Sequence, residues 1–121
     1  MNVKNILVFP GGTENGLEIF KCLVYEKKIN LFSVSNDVSN HSKFIYRNHS
    51  IIPDIGSRNC LTELNKIIKN NKIDLIFPAN SLVIDFLNKN KKFIKCDLII
   101  PNDRILDITR SKKNTYEFFK K

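Results

Sequence analysis

Ile6-Leu7-Val8-Phe9-Pro10-Gly11-Gly12-Thr13-Glu14-Asn15-Gly16 is the stretch that decides the fold. Four apolar residues in a row, Ile6 to Phe9, read as a strand buried on both faces. Pro10 has no N–H for a sheet ladder, and the two glycines behind it favour a tight turn, so the strand stops there. Ile19, Phe20, Leu23 and Val24 then recur at helical spacing, which predicts a helix starting at Asn15 or Gly16 and running to about Lys27. Strand, glycine turn and helix start make the first half of a βαβ unit. The turn aims free backbone N–H groups and the positive end of a helix dipole above the sheet, a place for an anionic group.

Working outward, the same alternation repeats. Leu31 to Ser35 is a second short strand ending at Asn36-Asp37, and a polar loop follows to Ser42. Phe44-Ile45-Tyr46 fits one helical turn, and Ser50-Ile51-Ile52 before Pro53 fits a brief edge strand. Cys60, Leu61, Leu64, Ile67 and Ile68 form an amphipathic stripe with Ser57 or Asn59 as its cap, ending at Asn70-Asn71. Ile73 to Phe77 is a strand stopped by Pro78, Leu82 to Leu87 a helix, and Asp97 to Ile100 a strand stopped by Pro101. Strands and helices in this order predict an open, mostly parallel, Rossmann-like α/β sheet of about five strands, with helices on both faces. The domain spans residues 1–103, and residues 104–121 start a further segment with two short helices. The last of these carries Phe118-Phe119, adjacent aromatics with little to pack against in one small domain. The expectation is a fragment, or one piece of a longer protein.

Bulk properties bound the function. The chain has 121 residues, enough for one core. No apolar run reaches membrane-span length and the N-terminus lacks a secretion signal, so a cytoplasmic protein without membrane contact is expected. The net charge is +8, but 16 of the 20 basic residues are lysines scattered along the chain. Arg interleaved with aromatics, which base readout and phosphate clamping favour, is missing, so a solvated lysine surface is expected rather than a nucleic-acid groove. Cys22, Cys60 and Cys96 have no metal-ligand spacing and read as buried or half-buried free thiols. His41 and His49 lack ligand spacing or an acidic partner and read as surface or loop histidines.

Two phosphate motifs are approached and missed. Gly11 and Gly16 match the outer glycines of GxxxxGK[ST], but Leu17-Glu18 stand where Lys and Ser/Thr must reach phosphate and magnesium. The dinucleotide fingerprint GxGxxG needs a glycine at Thr13. Asp37, at the end of the second strand, stands where an acidic residue would hold a ribose hydroxyl. Glu14 suits a helix N-terminus, and Asp85 a solvated helix face.

Taken in order, four segments resemble the N-terminal (pre-ATP-grasp) domain of ATP-grasp ligases, most nearly those similar to the carbamoyl-phosphate synthase large chain. They are Asn5 to Gly16, Lys72-Ile-Asp-Leu-Ile-Phe-Pro78 (often "kiD-ii-P" in that family), Asp97-Leu-Ile-Ile-Pro101, and Ser111-Lys-Lys-Asn-Thr-Tyr-Glu-Phe118. The last is similar to the "DK-x-x-T-x-x-F" segment leading into the ATP-grasp fold, with Ser111 where Asp is usual. The resemblance implies that ATP, with Mg2+, phosphorylates a carboxylate substrate to an acyl phosphate that an amine then attacks. It also implies that ATP binds chiefly between later subdomains, so that this chain alone is not catalytic and holds no cofactor. Lys112 matches a lysine that reaches toward ATP. The turn Gly11, Gly12, Thr13, Glu14, Asn15 would face the small-molecule substrate, because ligands sit outside the carboxyl ends of parallel strands. Asn36, Asp37 and Asn80 share that edge. The alternatives are a dinucleotide-binding module of an oxidoreductase or sugar-modifying enzyme, and a non-catalytic partner-binding fragment that uses the Phe118-Phe119 end, which a homodimer through the C-terminal helix would favour.

Overall fold

The computed structural model describes residues 2–36 and 41–120. Five strands, β1 (Lys4–Phe9), β2 (Ile29–Ser35), β3 (Asn48–Ile51), β4 (Leu75–Pro78) and β5 (Asp97–Leu98), form one sheet in the order β3-β2-β1-β4-β5. Every pairing is parallel, with Leu7 opposite Phe32 on one side and Ile76 on the other. β1 is the central strand, and its burial explains the apolar run: Ile6, Leu7, Val8 and Phe9 are all buried. β3 is an edge strand, as the flanking Pro53 predicts. β5 is only two residues long, shorter than the Asp97–Ile100 run, because its pairing with β4 is confined to Leu75–Asp97 and Ile76–Leu98.

The helices are α1 (Glu14–Leu23), α2 (Ser42–Ile45), α3 (Cys60–Asn71), α4 (Ser81–Asn90), α5 (Asp103–Thr109) and α6 (Lys112–Phe119). The chain steps from β1 outward to β2 and β3, then crosses back to β4 and β5. Crossovers of one hand that run in opposite directions must use opposite faces of a sheet. Accordingly Ile19 and Phe20 of α1 pack with Val8 and Tyr46 on one face. Leu64 and Ile68 of α3 and Val83 and Leu87 of α4 join Leu7, Phe9, Val34 and Ile76 on the other. The second cluster is the main core, and each fully buried Leu within it contributes about 1.5–3 kcal/mol.

Helix ends depart from the sequence reading in two places. α1 starts at Glu14 rather than at Asn15 or Gly16, because Thr13 is its N-cap: the Thr13 hydroxyl accepts from the Gly16 N–H at 3.1 Å. It also stops at Leu23 rather than near Lys27; the chain turns there, and the Ile29 N–H bonds back to the Glu26 carbonyl before β2 begins. α3 ends in a left-handed residue, Lys72, whose N–H reaches the carbonyls of Ile68 and Lys69. α5 and α6 pack on each other, with the Thr115 hydroxyl donating to the Ile108 carbonyl at 2.9 Å. Tyr116 and Phe119 are exposed.

No helix among the described residues is long and apolar enough to cross a membrane.

Candidate functional site

The strand order reverses beside β1: β2 follows on one side of it, while β4 is added on the other after a crossover. The loops leaving β1 and β4 therefore diverge, and a crevice opens at their carboxyl ends. A cavity of about 330 Å³ lies there, walled by Pro10, Gly12 and Thr13 after β1, Ser35 and Asn36 after β2, Pro53 and Asp54 after β3, and Asn80 after β4. Two helix starts meet it. The Asn80 side chain accepts from the Val83 N–H at 2.8 Å and caps α4, as Thr13 caps α1. Both caps use a side-chain oxygen on one amide and leave other first-turn N–H groups without a helical partner.

The two turns are tied together across the crevice. The Ala79 N–H donates to the Phe9 carbonyl at 2.7 Å, and the Asn15 side-chain amide donates to the Ala79 carbonyl at 3.1 Å. Gly16 closes the first turn tightly, since a Cβ there would lie 2.6 Å from the carbonyl oxygens of both Pro10 and Gly11. The Tyr46 hydroxyl, buried, donates to the Gly16 carbonyl at 2.7 Å, and burial pushes its ionisation well above the usual phenol range.

Of the residues expected from the sequence to face a ligand, Gly12, Thr13, Asn36 and Asn80 line this cavity. Gly11, Glu14 and Asn15 belong to the same turn but are not among its lining residues. Gly11 is buried against β2 and α2, where a Cβ would meet Ser33 Cβ at 2.5 Å and Ser42 Cβ at 3.2 Å. Glu14 is exposed in the first turn of α1, and Asn15 faces a second, more apolar depression of about 510 Å³ with Ile19, Leu23 and Phe77. Asp37 lies outside the described residues. Lys112 is exposed at the first position of α6 and is not among the residues lining the cavity.

Asp54 was not anticipated. Nothing local marks it, for its place on the rim follows only from the pairing of β3 beside β2.

A second feature missed from the sequence lies beneath the β1 turn. The Ser33 hydroxyl is 2.7 Å from His49 Nδ1, Ser42 Oγ is 3.2 Å from the same nitrogen, and Ser35 Oγ is 3.2 Å from Ser42 Oγ. The three serines are buried. His49 is thus neither a surface nor a loop histidine; it is a half-buried residue of β3, and burial first, then the charge of Lys43, lowers its pKa below the ordinary value. The period-two placing of Ser33, Ser35 and His49 on paired strands was the available signal, but only the register Ser33 opposite His49 brings them together.

The thiols also separate. Cys60 is buried and Cys96 half-buried, as expected, but Cys22 is exposed on α1. Among the described residues no group of His, Cys, Asp or Glu is placed to hold a metal ion. No protein-family model matches this chain, and no curated protein matches it.

Proposed function

We propose that this chain is the substrate-side N-terminal domain of an ATP-dependent carboxylate–amine ligase of the ATP-grasp class, similar to the carbamoyl-phosphate synthase large chain. The observation that carries the reading is the cavity at the reversal of strand order, with the N-caps of α1 and α4 on its wall. The start of α4, with Asn80, Leu82 and Val83 on the cavity wall, turns the positive end of its dipole toward the crevice and favours a carboxylate there, and the Thr13 hydroxyl adds a polar group. A cavity of about 330 Å³ suits a small acid.

The residues present do not fit magnesium–ATP in this cavity. No Lys or Arg is among its described lining residues to neutralise the several charges of a triphosphate, and Asp54 opposes an anion of either kind, so that a singly charged acid met by amide and hydroxyl donors is the anion best tolerated. In this reading the domain binds and orients the acid, while ATP and Mg2+ act from subdomains outside the 121 residues, with Lys112 on the connecting segment. ATP held in such subdomains would give its γ-phosphoryl group to a carboxylate oxygen and leave as ADP, and an amine would then displace phosphate from the acyl carbon with loss of a proton. The substrate-facing part is assigned to Gly12, Thr13, Asn36 and Asn80.

A dinucleotide module is the second reading, favoured by one observation: the close approach of Gly16 to the carbonyls of Pro10 and Gly11, which is the packing the last glycine of GxGxxG provides. A thermal-shift screen separates the two. Small mono- and dicarboxylates should stabilise the chain saturably, by about 2.7 kcal/mol at about 100 times Kd. Asn36→Ala, which removes a cavity-lining amide, should weaken the effect. Stabilisation by micromolar NAD or NADP without any carboxylate response would replace the first reading with the second.

A further inference from the structure

A separate cleft opens at the other end of the sheet, where α3 finishes and β4 and β5 begin. Its volume is about 600 Å³, and four lysines line it: Lys66, Lys69, Lys72 and Lys95. Lys66 and Lys69 lie three residues apart on α3 and are neighbours on its surface, Lys72 is the left-handed residue that ends the helix, and Lys95 comes from the loop before β5. Ile68 and Ile73, both buried, also line it. No carboxylate is among its described lining residues. Lys66 is held by Glu63 at 2.7 Å, whereas Lys69, Lys72 and Lys95 have no ion pair among the described residues.

Cations near the end of α3 complement the helix dipole, which accounts for Lys69 and Lys72. It does not account for Lys95, brought to the same cleft by a different element. Asn65, also on the cleft wall, donates its amide to the Phe93 carbonyl at 2.9 Å, but its side-chain oxygen is buried without a donor.

We propose that this cleft binds a small, multiply phosphorylated metabolite. Lysine ammonium groups meet phosphate as point charges, with no need for the paired geometry that arginine supplies. The methylene stems of the lysines offer apolar surface to a carbon skeleton. Nucleic acid fits less well, because no Arg and no aromatic side chain is among the described lining residues to grip a backbone or stack a base.

The test is an NMR titration of the full chain with inorganic triphosphate at low ionic strength. Saturable amide shifts should concentrate at Lys69, Lys72 and Lys95. The double variant Lys69→Gln/Lys95→Gln should weaken binding about tenfold or more, and the control Lys27→Gln/Lys28→Gln less than about twofold. Shifts spread over many surface lysines without saturation, or equal weakening by both double variants, would overturn the proposal. So would tighter binding of a short single-stranded oligonucleotide to the same residues, which would assign the cleft to nucleic acid. Should the cleft variant fail to fold, the shift map of the unmodified chain decides.

Discussion

The Asn15 side-chain amide and the Ala79 carbonyl, 3.1 Å apart, join the turn after β1 to the turn after β4 across the crevice where the sheet reverses. The bond links the two turns into one rim. Removing the amide in Asn15→Ala loses a hydrogen bond of about 0.5–1.5 kcal/mol, while alanine's better helix propensity returns up to about 0.7 kcal/mol. Global stability should fall by less than about 1 kcal/mol. Amide exchange at Ala79, whose N–H bonds to Phe9, should nevertheless quicken relative to core amides such as Leu7 and Ile76. Unchanged exchange at Ala79 would mean that the Phe9 bond alone holds the rim.

Gly11 is constrained by space, not by backbone angle. A methyl group there would lie 2.5 Å from Ser33 Cβ, and Ser33 is itself buried and bonded to His49. Gly11→Ala should cost about 1–3 kcal/mol through overpacking. Ser33→Gly vacates the contested position, so the double variant should be more stable than the sum of the two single losses predicts, by about 0.5 kcal/mol or more. Urea unfolding of all four proteins measures this; strict additivity would show that the clash is relieved elsewhere.

The serine–histidine cluster makes stability depend on pH. The pKa of His49 is lowered in the folded chain, so the unfolded chain, with its ordinary value near 6.5, binds the proton more readily. Stability is therefore full above the unfolded value. It is lost as pH falls from about 6.5 through the lowered folded value, and the loss levels off below that. In His49→Gln this segment of the pH–stability curve should flatten. An unaltered curve would assign the acid sensitivity to other groups.

The sheet was legible because its signals are local. Ile6 to Phe9, the Pro-Gly-Gly break and the apolar stripe of α3 each state one element, and their alternation leaves a parallel sheet as the simplest arrangement. That Gly12, Thr13, Asn36 and Asn80 wall one cavity was legible because strand ends in such a sheet share one rim. Asp54, the His49 cluster and the lysine cleft were not, since each depends on register or on packing between elements far apart in sequence. The Thr13 cap was misjudged for a smaller reason: apolar periodicity starts at Ile19, and the first polar turn of a helix carries no such signal.

The three thiols should differ sharply in reactivity. Burial, with some help from Asp54, pushes the Cys60 thiol up to about 11. Burial together with Asp97 and Asp74 does the same for Cys96, also to about 11. At pH 8 such groups are thiolate to only about one part in a thousand, and the thiolate is the reacting form. Cys22 is exposed on α1 beside the apolar depression that also contains Ile19 and Phe77. Titration of the native chain with an aromatic disulfide reagent at pH 8 should therefore release one equivalent rapidly, and three after unfolding in urea. Cys22→Ser should abolish the rapid phase without changing the free energy of unfolding by more than about 0.5 kcal/mol, as suits an exposed position. A second rapid equivalent in the native chain would show that the segment before β5 opens readily and that Cys96 is not held as its neighbours imply.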